Sequence, residues 1–246
     1  MNIAITAPTR LYQEVGLTLQ QRITDDVYRV GSRLPPERDI AEEMDVSRSV
    51  VREAIIMLEL QGLIEVRKGS GAYVTAKPSN DKPRATTRAN SDVGPFELLQ
   101  ARQAVESQIA SFAAMNITKN DISRLREALD MERKHLNEGC TDYDGDELFH
   151  LTIAEASQNS VMSDIVRELW QRRDESPMWQ QLHARISNSS YRTAWLGDHE
   201  KILLALQKRD PEGARKAMWQ HLENVKQTLF ELSDVDDPQF DGFLFR

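Results

Sequence analysis

The chain has 246 residues, of which 40% are hydrophobic and 28% charged, enough for two domains of ordinary size and too apolar for a disordered chain. No run of about 18 apolar residues occurs, which excludes a membrane-spanning helix. Net charge is −8, and residues 1–76 carry nine Lys+Arg against eleven Asp+Glu, which excludes a simple polycation that coats nucleic acid. DNA contact must therefore rest on where particular arginines sit.

The opening MNIAITAPTRLYQEV lacks a long apolar stretch behind a basic patch and does not read as a secretion signal. Cys140 stands alone, which leaves no internal disulfide framework and fits a reducing cytoplasm. Helical periodicity runs over 10–27, with Leu11, Val15, Leu19 and Ile23 on one stripe, and Gly31 and Pro35-Pro36 end it. A short second helix turns Ile40, Ala41 and Met44 inward. Asp45 and Val46 make a tight turn, and Ser47 is a suitable N-cap for a third helix over 48–60. Its apolar face is Val51, Ala54, Ile55 and Leu58, and Gly62 ends it. Two β-prone runs, LIEVR and AYVTA, flank Lys68-Gly69-Ser70-Gly71 as a hairpin.

Two short helices around a tight turn, then a hairpin, predict a winged helix-turn-helix over 1–76. Its third helix would enter the major groove by its N-terminal end, which carries Ser47, Arg48, Ser49 and Arg52. Arg48 and Arg52 are four apart, and a guanidinium fork matches guanine O6 and N7. Arg38 and Arg67-Lys68 suit phosphate or minor-groove contact, while Gly69 and Gly71 let the wing backbone come close. Taken alone, such an arginine pair is more often a solvated helix face. The whole stretch RLPPERDIAEEMDVSRSVVREAIIMLELQGLIEVRKGSGAYV, however, resembles the DNA-binding domain of the GntR superfamily. The resemblance implies operator contacts by Arg38, Ser47, Arg48, Ser49, Arg52 and Gly69. Lys68 falls where that family varies.

Residues 77–94, KPSNDKPRATTRANSDVG, read as a linker. Helices follow at roughly 95–116, 119–138, 146–158, 161–175, 191–208 and 211–232, giving an all-α bundle of six or seven helices over 95–232. An acidic, aromatic tail over 233–246 is expected to pack on a helical surface. The fold class is mainly α. Four polar residues in the bundle stand out: Asp146 and His150, one turn apart on one helix, and His199 and His221 on apolar stripes of two others. A lone histidine on such a face is usually a hydrogen-bonded core residue, and His135 and His183 have no clear apolar stripe. Three imidazoles and a carboxylate aimed into one core are costly to bury unless something satisfies them, and a divalent metal does so.

The segment from Gly94 to about Leu232 resembles the all-helical domain of the FadR subgroup, many of whose members hold a metal with an Asp-x-x-x-His pair and two later histidines. DELFH, GDH and WQHLEN supply Asp146, His150, His199 and His221. Zinc is the first expectation, with nickel, manganese and iron compatible. The resemblance gives Arg102 the pairing with an effector carboxylate; the alternative is an intrahelical pair with Glu106. Asn159, near the start of the next helix, is a further effector candidate. GPFELLQARQ, RTAWLGDH, AMWQHLENVKQ and FDGFLF look like the hexuronate-operon repressors of enteric bacteria, the glucuronate type ahead of the galacturonate type. This implies a cytoplasmic homodimer on a palindromic operator, released by a sugar acid such as fructuronate. A regulator answering another small carboxylic acid, a purely structural metal, or a metallohydrolase remain rival readings. The last lacks a His-Glu-x-x-His motif to supply a general base.

Overall fold

The first helix, α1 (Leu11–Thr24), buries Tyr12, Val15, Leu19 and Ile23. Tyr12 takes the place expected of Leu11, which is half exposed, because its hydroxyl donates to the Asp92 carbonyl at 2.6 Å. In this computed structural model residues 10–67, 69–78, 92–139, 143–186 and 191–236 are described. They fall into two compact units: Met1–Phe96 with Ser176–Arg185 and Leu232–Arg246, and Glu97–Glu175 with Ile186–Glu231.

In the first unit α2 (Glu37–Met44) stops where Asp45 enters the left-handed region at φ 52°, and the tight turn swings the chain into α3 (Arg48–Leu60). Ser47 caps α3, its Oγ accepting from the Val50 N–H, which satisfies one of the end donors a helix leaves unpaired. Strands β1 (Ile64–Arg67) and β2 (Gly71–Val74) pair antiparallel, Ile64 facing Val74 and Arg67 facing Gly71. Gly69 and Gly71 take φ of 65° and 98°, conformations that L side chains rarely adopt, so the hairpin can turn tightly. The core of this unit is Val15, Leu19, Ile23, Ile40, Val51, Ile55, Leu58, Ile64 and Val74, all nearly inaccessible. This is the expected winged helix-turn-helix. Lys68 and most of the expected linker lie outside the described residues.

The second unit carries α4 (Pro95–Asn116), α5 (Lys119–Glu138), α6 (Asp144–Ala156) and α7 (Ser160–Glu175), and, after α8 (Pro177–Ala184), α9 (Tyr191–Gln207) and α10 (Pro211–Leu232). Ile109, Ala154, Val166 and Trp170 form an apolar cluster that ties α4, α6 and α7 together. Helices α5 and α6 lie close because Gly145 has no side chain: a β-carbon there would stand 2.7 Å from the Glu132 backbone nitrogen. That close approach fixes where Glu132 stands, which matters below.

Helix α8 does not emerge from the apolar periodicity. Its signal is the Ser176-Pro177 pair, a capping serine followed by a proline at the first helical position. It buries Met178, Trp179 and Leu182, and Arg185 just beyond it reaches Glu59 on α3 at 2.7 Å. Ser176–Arg185 thus groups with the N-terminal residues, although the sequence reads 95–232 as one domain. No described helix is long and apolar enough to cross a membrane.

Candidate metal centre and DNA-binding face

Helix α6 sets Asp146 and His150 on one face, α9 supplies His199 and α10 supplies His221. One ligand atom from each lies within 4.8 Å of the others. Asp146 Oδ1 stands 3.4 Å from Nε2 of both His150 and His199, and the Nε2 atoms of His199 and His221 face each other at 3.1 Å. The three imidazoles are at most 2% exposed.

Two glutamates hold the rings in this pose. Glu106, from α4, bonds His150 Nδ1, and Glu132, from α5, lies 2.8 Å from His199 Nδ1. A carboxylate on Nδ1 favours the tautomer with its proton there and turns the Nε2 lone pair inward. Asp146 Oδ1 and His150 Nε2 are buried and make no hydrogen bond among the described groups. Three imidazole nitrogens and a carboxylate oxygen converging on one buried point are what a bound cation relieves. Three nitrogens and one oxygen suit zinc, nickel, manganese or iron(II), so the residues fit a divalent metal.

The electrostatics agree. Burial by itself would raise the Glu106 carboxyl, but Arg102 and His150 beside it hold it down to about 2. Burial opposes the Asp146 carboxylate too, yet its contact with His150 and the charges of His150, His199 and Arg102 keep it far below the ordinary range. For His221, burial and then the charges of His199 and His150 push the imidazole well below its usual value, leaving a neutral ring ready to ligate. His150 goes the other way: burial lowers it, but Glu106 and Asp146 raise it to about 8, so a cation entering here must displace its proton. Glu132→Gln is expected to weaken zinc affinity about 10–100-fold with helix content unchanged, measured by competition with a chromophoric chelator. An unaltered affinity would show that Glu132 does not orient His199.

Arg102 is 3% exposed, and its Nε donates to Glu106 at 2.6 Å. The i+4 pair is therefore real, but it is a buried link from Arg102 through Glu106 to His150 rather than a surface ion pair. The Arg102 guanidinium also lies 4.1 Å over the Trp170 ring. Two further buried arginines stand nearby: Arg173 at 4.9 Å over Trp170 and 4.5 Å over Tyr143, and Arg192 at 4.5 Å over Tyr143. Burial draws the Arg173 guanidinium below its usual value, with the nearby Asp146 charge opposing. Neither arginine is singled out by spacing, although Arg173 sits one turn after Trp170. Glu132 had a legible signal: an acid on the stripe of Leu125, Ala128 and Leu129. Asn159 is a correction. It is exposed, and its Oδ1 accepts from the Val161 and Met162 N–H groups at 3.1 and 3.3 Å, so it caps α7 instead of facing the cluster.

On the face expected to meet DNA, Arg38 is largely exposed beside Asp39, and Ser47 Oγ lies 2.9 Å from Ser49 Oγ. Arg48 is partly exposed and donates to Asp234 at 2.6 Å. Arg52 departs from expectation: it is fully buried, with Nε 3.0 Å and Nη2 2.5 Å from the Glu37 carboxylate and Nη1 3.2 Å from Ser233 Oγ. The reason is Glu37, whose carboxylate is also fully buried and needs a countercharge more than Arg52 needs solvent. In this arrangement Arg52 faces inward while Arg48 remains at the surface.

A winged reader domain, followed in the chain by a helical bundle with a buried imidazole–carboxylate cluster, is the architecture of a DNA-binding transcription regulator. The chain belongs to the GntR family: residues 11–74 match "Bacterial regulatory proteins, gntR family" and residues 97–224 match the FCD domain. It is 52% identical to the Uxu operon transcriptional regulator of Escherichia coli (strain K12), covering 98% of this chain and 95% of that protein. Identity is 51% to the Uxu operon regulator of Haemophilus influenzae, over 96% of this chain and 88% of that one. The Exu regulon transcriptional regulator of Escherichia coli (strain K12) is 47% identical, over 98% and 93%.

Proposed function

We propose that this chain is a cytoplasmic repressor of hexuronate catabolism genes that binds a pseudo-palindromic operator as a homodimer and is released by a sugar acid. The convergence of Asp146, His150, His199 and His221 beside three buried arginines is the observation that carries the reading. The similarity to Uxu and Exu regulators supports hexuronate as the acid. Residues 1–76 read DNA, 77–94 link, 95–232 sense apart from Ser176–Arg185, which groups with the N-terminal unit, and 233–246 form the tail.

Asp146, His150, His199 and His221 would hold the cation, zinc first, with Glu106 and Glu132 orienting two of the rings. A divalent ion there would supply a Lewis-acid seat for a carboxylate and its adjacent hydroxyl. Arg102, Arg173 and Arg192 add positive charge that favours an anion; a guanidinium fork binds a carboxylate through two short hydrogen bonds. Trp170 and Tyr143 hold those guanidinium planes, so little freedom is lost when an acid arrives. In the reader, Arg48 at the surface end of α3 meets base edges, and Arg38, Ser47, Ser49, Lys68 and Gly69 meet the backbone. Release requires the acid to bind the DNA-incompetent state more tightly; equal binding to both states shifts nothing.

The test uses a duplex enriched by the chain from a random-sequence pool, followed by fluorescence anisotropy. Fructuronate or glucuronate is expected to release the zinc-loaded chain and to lose that effect after chelation. Release by neither acid, with release by some other carboxylate, would remove the hexuronate assignment.

A further inference from the structure

The segment that leaves α10 lies on the reader. Asp234 Oδ2 accepts from Arg48 Nη2 at 2.6 Å, and its other oxygen stands 3.4 Å from Arg52 Nη2. Asp236 Oδ2 accepts from the backbone N–H of Glu37, the first residue of α2, at 2.7 Å, while Oδ1 accepts from Arg33 at 3.1 Å. Ser233 Oγ accepts from Arg52, and Val235 between the two acids is 1% exposed. Four residues thus place two carboxylates on the N-terminal ends of both helices of the helix-turn-helix, each pinned from a different side.

Those ends are where a duplex would place a base edge and its phosphates. Guanidinium groups and the first N–H groups of a helix bind any compact oxyanion, whether carboxylate or phosphodiester. The same donors cannot serve both at once. Asp236 is the more telling of the two. It takes a helix-end N–H and an arginine together, a pairing that suits a phosphate. The chain as a whole is acidic, yet these two acids fall on the arginines of its reader.

We propose that Ser233–Asp236 is an internal competitor for DNA: Asp234 occupies Arg48, the arginine that would meet a base edge, Asp236 occupies a phosphate position at the start of α2, and DNA binding requires the segment to lift away. This rests on the reading that the N-terminal end of α3 faces DNA. Displacing an acidic segment adds a cost to every association, specific or not. It also reduces the counterion release on binding, because the tail already neutralises part of the arginine charge.

The experiment compares the full chain with D234N/D236N on the enriched duplex and on an unrelated duplex of equal length, across a salt series. The substituted chain is expected to bind both at least about tenfold more tightly, with a log K against log[salt] slope steeper by about 1–2. D25N/D26N, which removes the same charge from the exposed end of α1, is the control. Unchanged affinity in D234N/D236N, or an equal gain in D25N/D26N, would overturn the proposal. Arg48→Ala separates the two layers: wild-type binding by that variant would sink the α3 reading itself. Loss of binding by it, together with no gain in D234N/D236N, would sink only the tail. A chain ending at Leu232, inhibited in trans by a peptide of residues 231–246 but not by its Asp234→Asn, Asp236→Asn form, would support the same conclusion without relying on a substituted full chain.

Discussion

Arg52→Ala is expected to destabilise the N-terminal unit by about 3–5 kcal/mol, the usual consequence of leaving one partner of a buried ion pair behind. Glu37 and Arg52 are both inaccessible, and the guanidinium engages the carboxylate through Nε and Nη2. Burial already pushes the Glu37 carboxyl up against the pull of Arg52. Without the arginine, Glu37 would take up a proton, which limits the loss but still leaves an unpaired buried acid. The expected result is a denaturation midpoint lowered for this unit, with Glu37→Leu added to Arg52→Met restoring much of it because an apolar pair needs no compensation. An Arg52→Ala chain as stable as the parent would mean that Arg52 is a DNA contact only and that its burial carries no energetic weight.

The second large effect is at the cluster. His199→Ala is expected to weaken zinc retention by roughly 150-fold, taking about 12 kcal/mol of binding spread evenly over four ligands. The loss exceeds that of Glu132→Gln because His199 supplies a ligand atom, whereas Glu132 only steers it. Removing His199 also takes away the 3.1 Å neighbour of His221 and the partner of Glu132. Zinc-free His199→Ala should therefore be compared with the zinc-free parent by the same denaturation curve. Parent-like zinc affinity in the variant would remove His199 from the ligand set.

Much of this was legible in the sequence because the informative patterns are local. A helical period of 3.6 and a capping serine define α3, and paired glycines between β-prone runs define the wing. The four-residue spacing of Asp146 and His150 places both on one face, and the stripes around His199 and His221 turn them inward. What was not legible depends on contacts between distant elements. Glu106 touches a histidine 44 residues away, and the stripe that turns Glu132 inward does not say that it meets His199, 67 residues on. Arg173 and Arg192 are buried by Tyr143 and Trp170, a choice no spacing announces. Arg52 carries the same chemistry as Arg48 and sits one turn later, yet one is buried and the other is not, because a buried glutamate on the preceding helix claims it. Asn159 capped a helix, the commoner role of an asparagine at that position. The tail carried no periodicity, and its acids acquire meaning only against Arg33, Arg48 and the end of α2.

The most direct test is X-ray absorption at the metal edge of the purified, folded full chain. The account predicts about one divalent ion per chain, with a fine structure dominated by imidazole nitrogen scattering and an oxygen contribution from Asp146, and with the imidazole signal reduced in His199→Ala. A folded chain that retains no ion at micromolar zinc, or an ion bound without imidazole scattering, would contradict it.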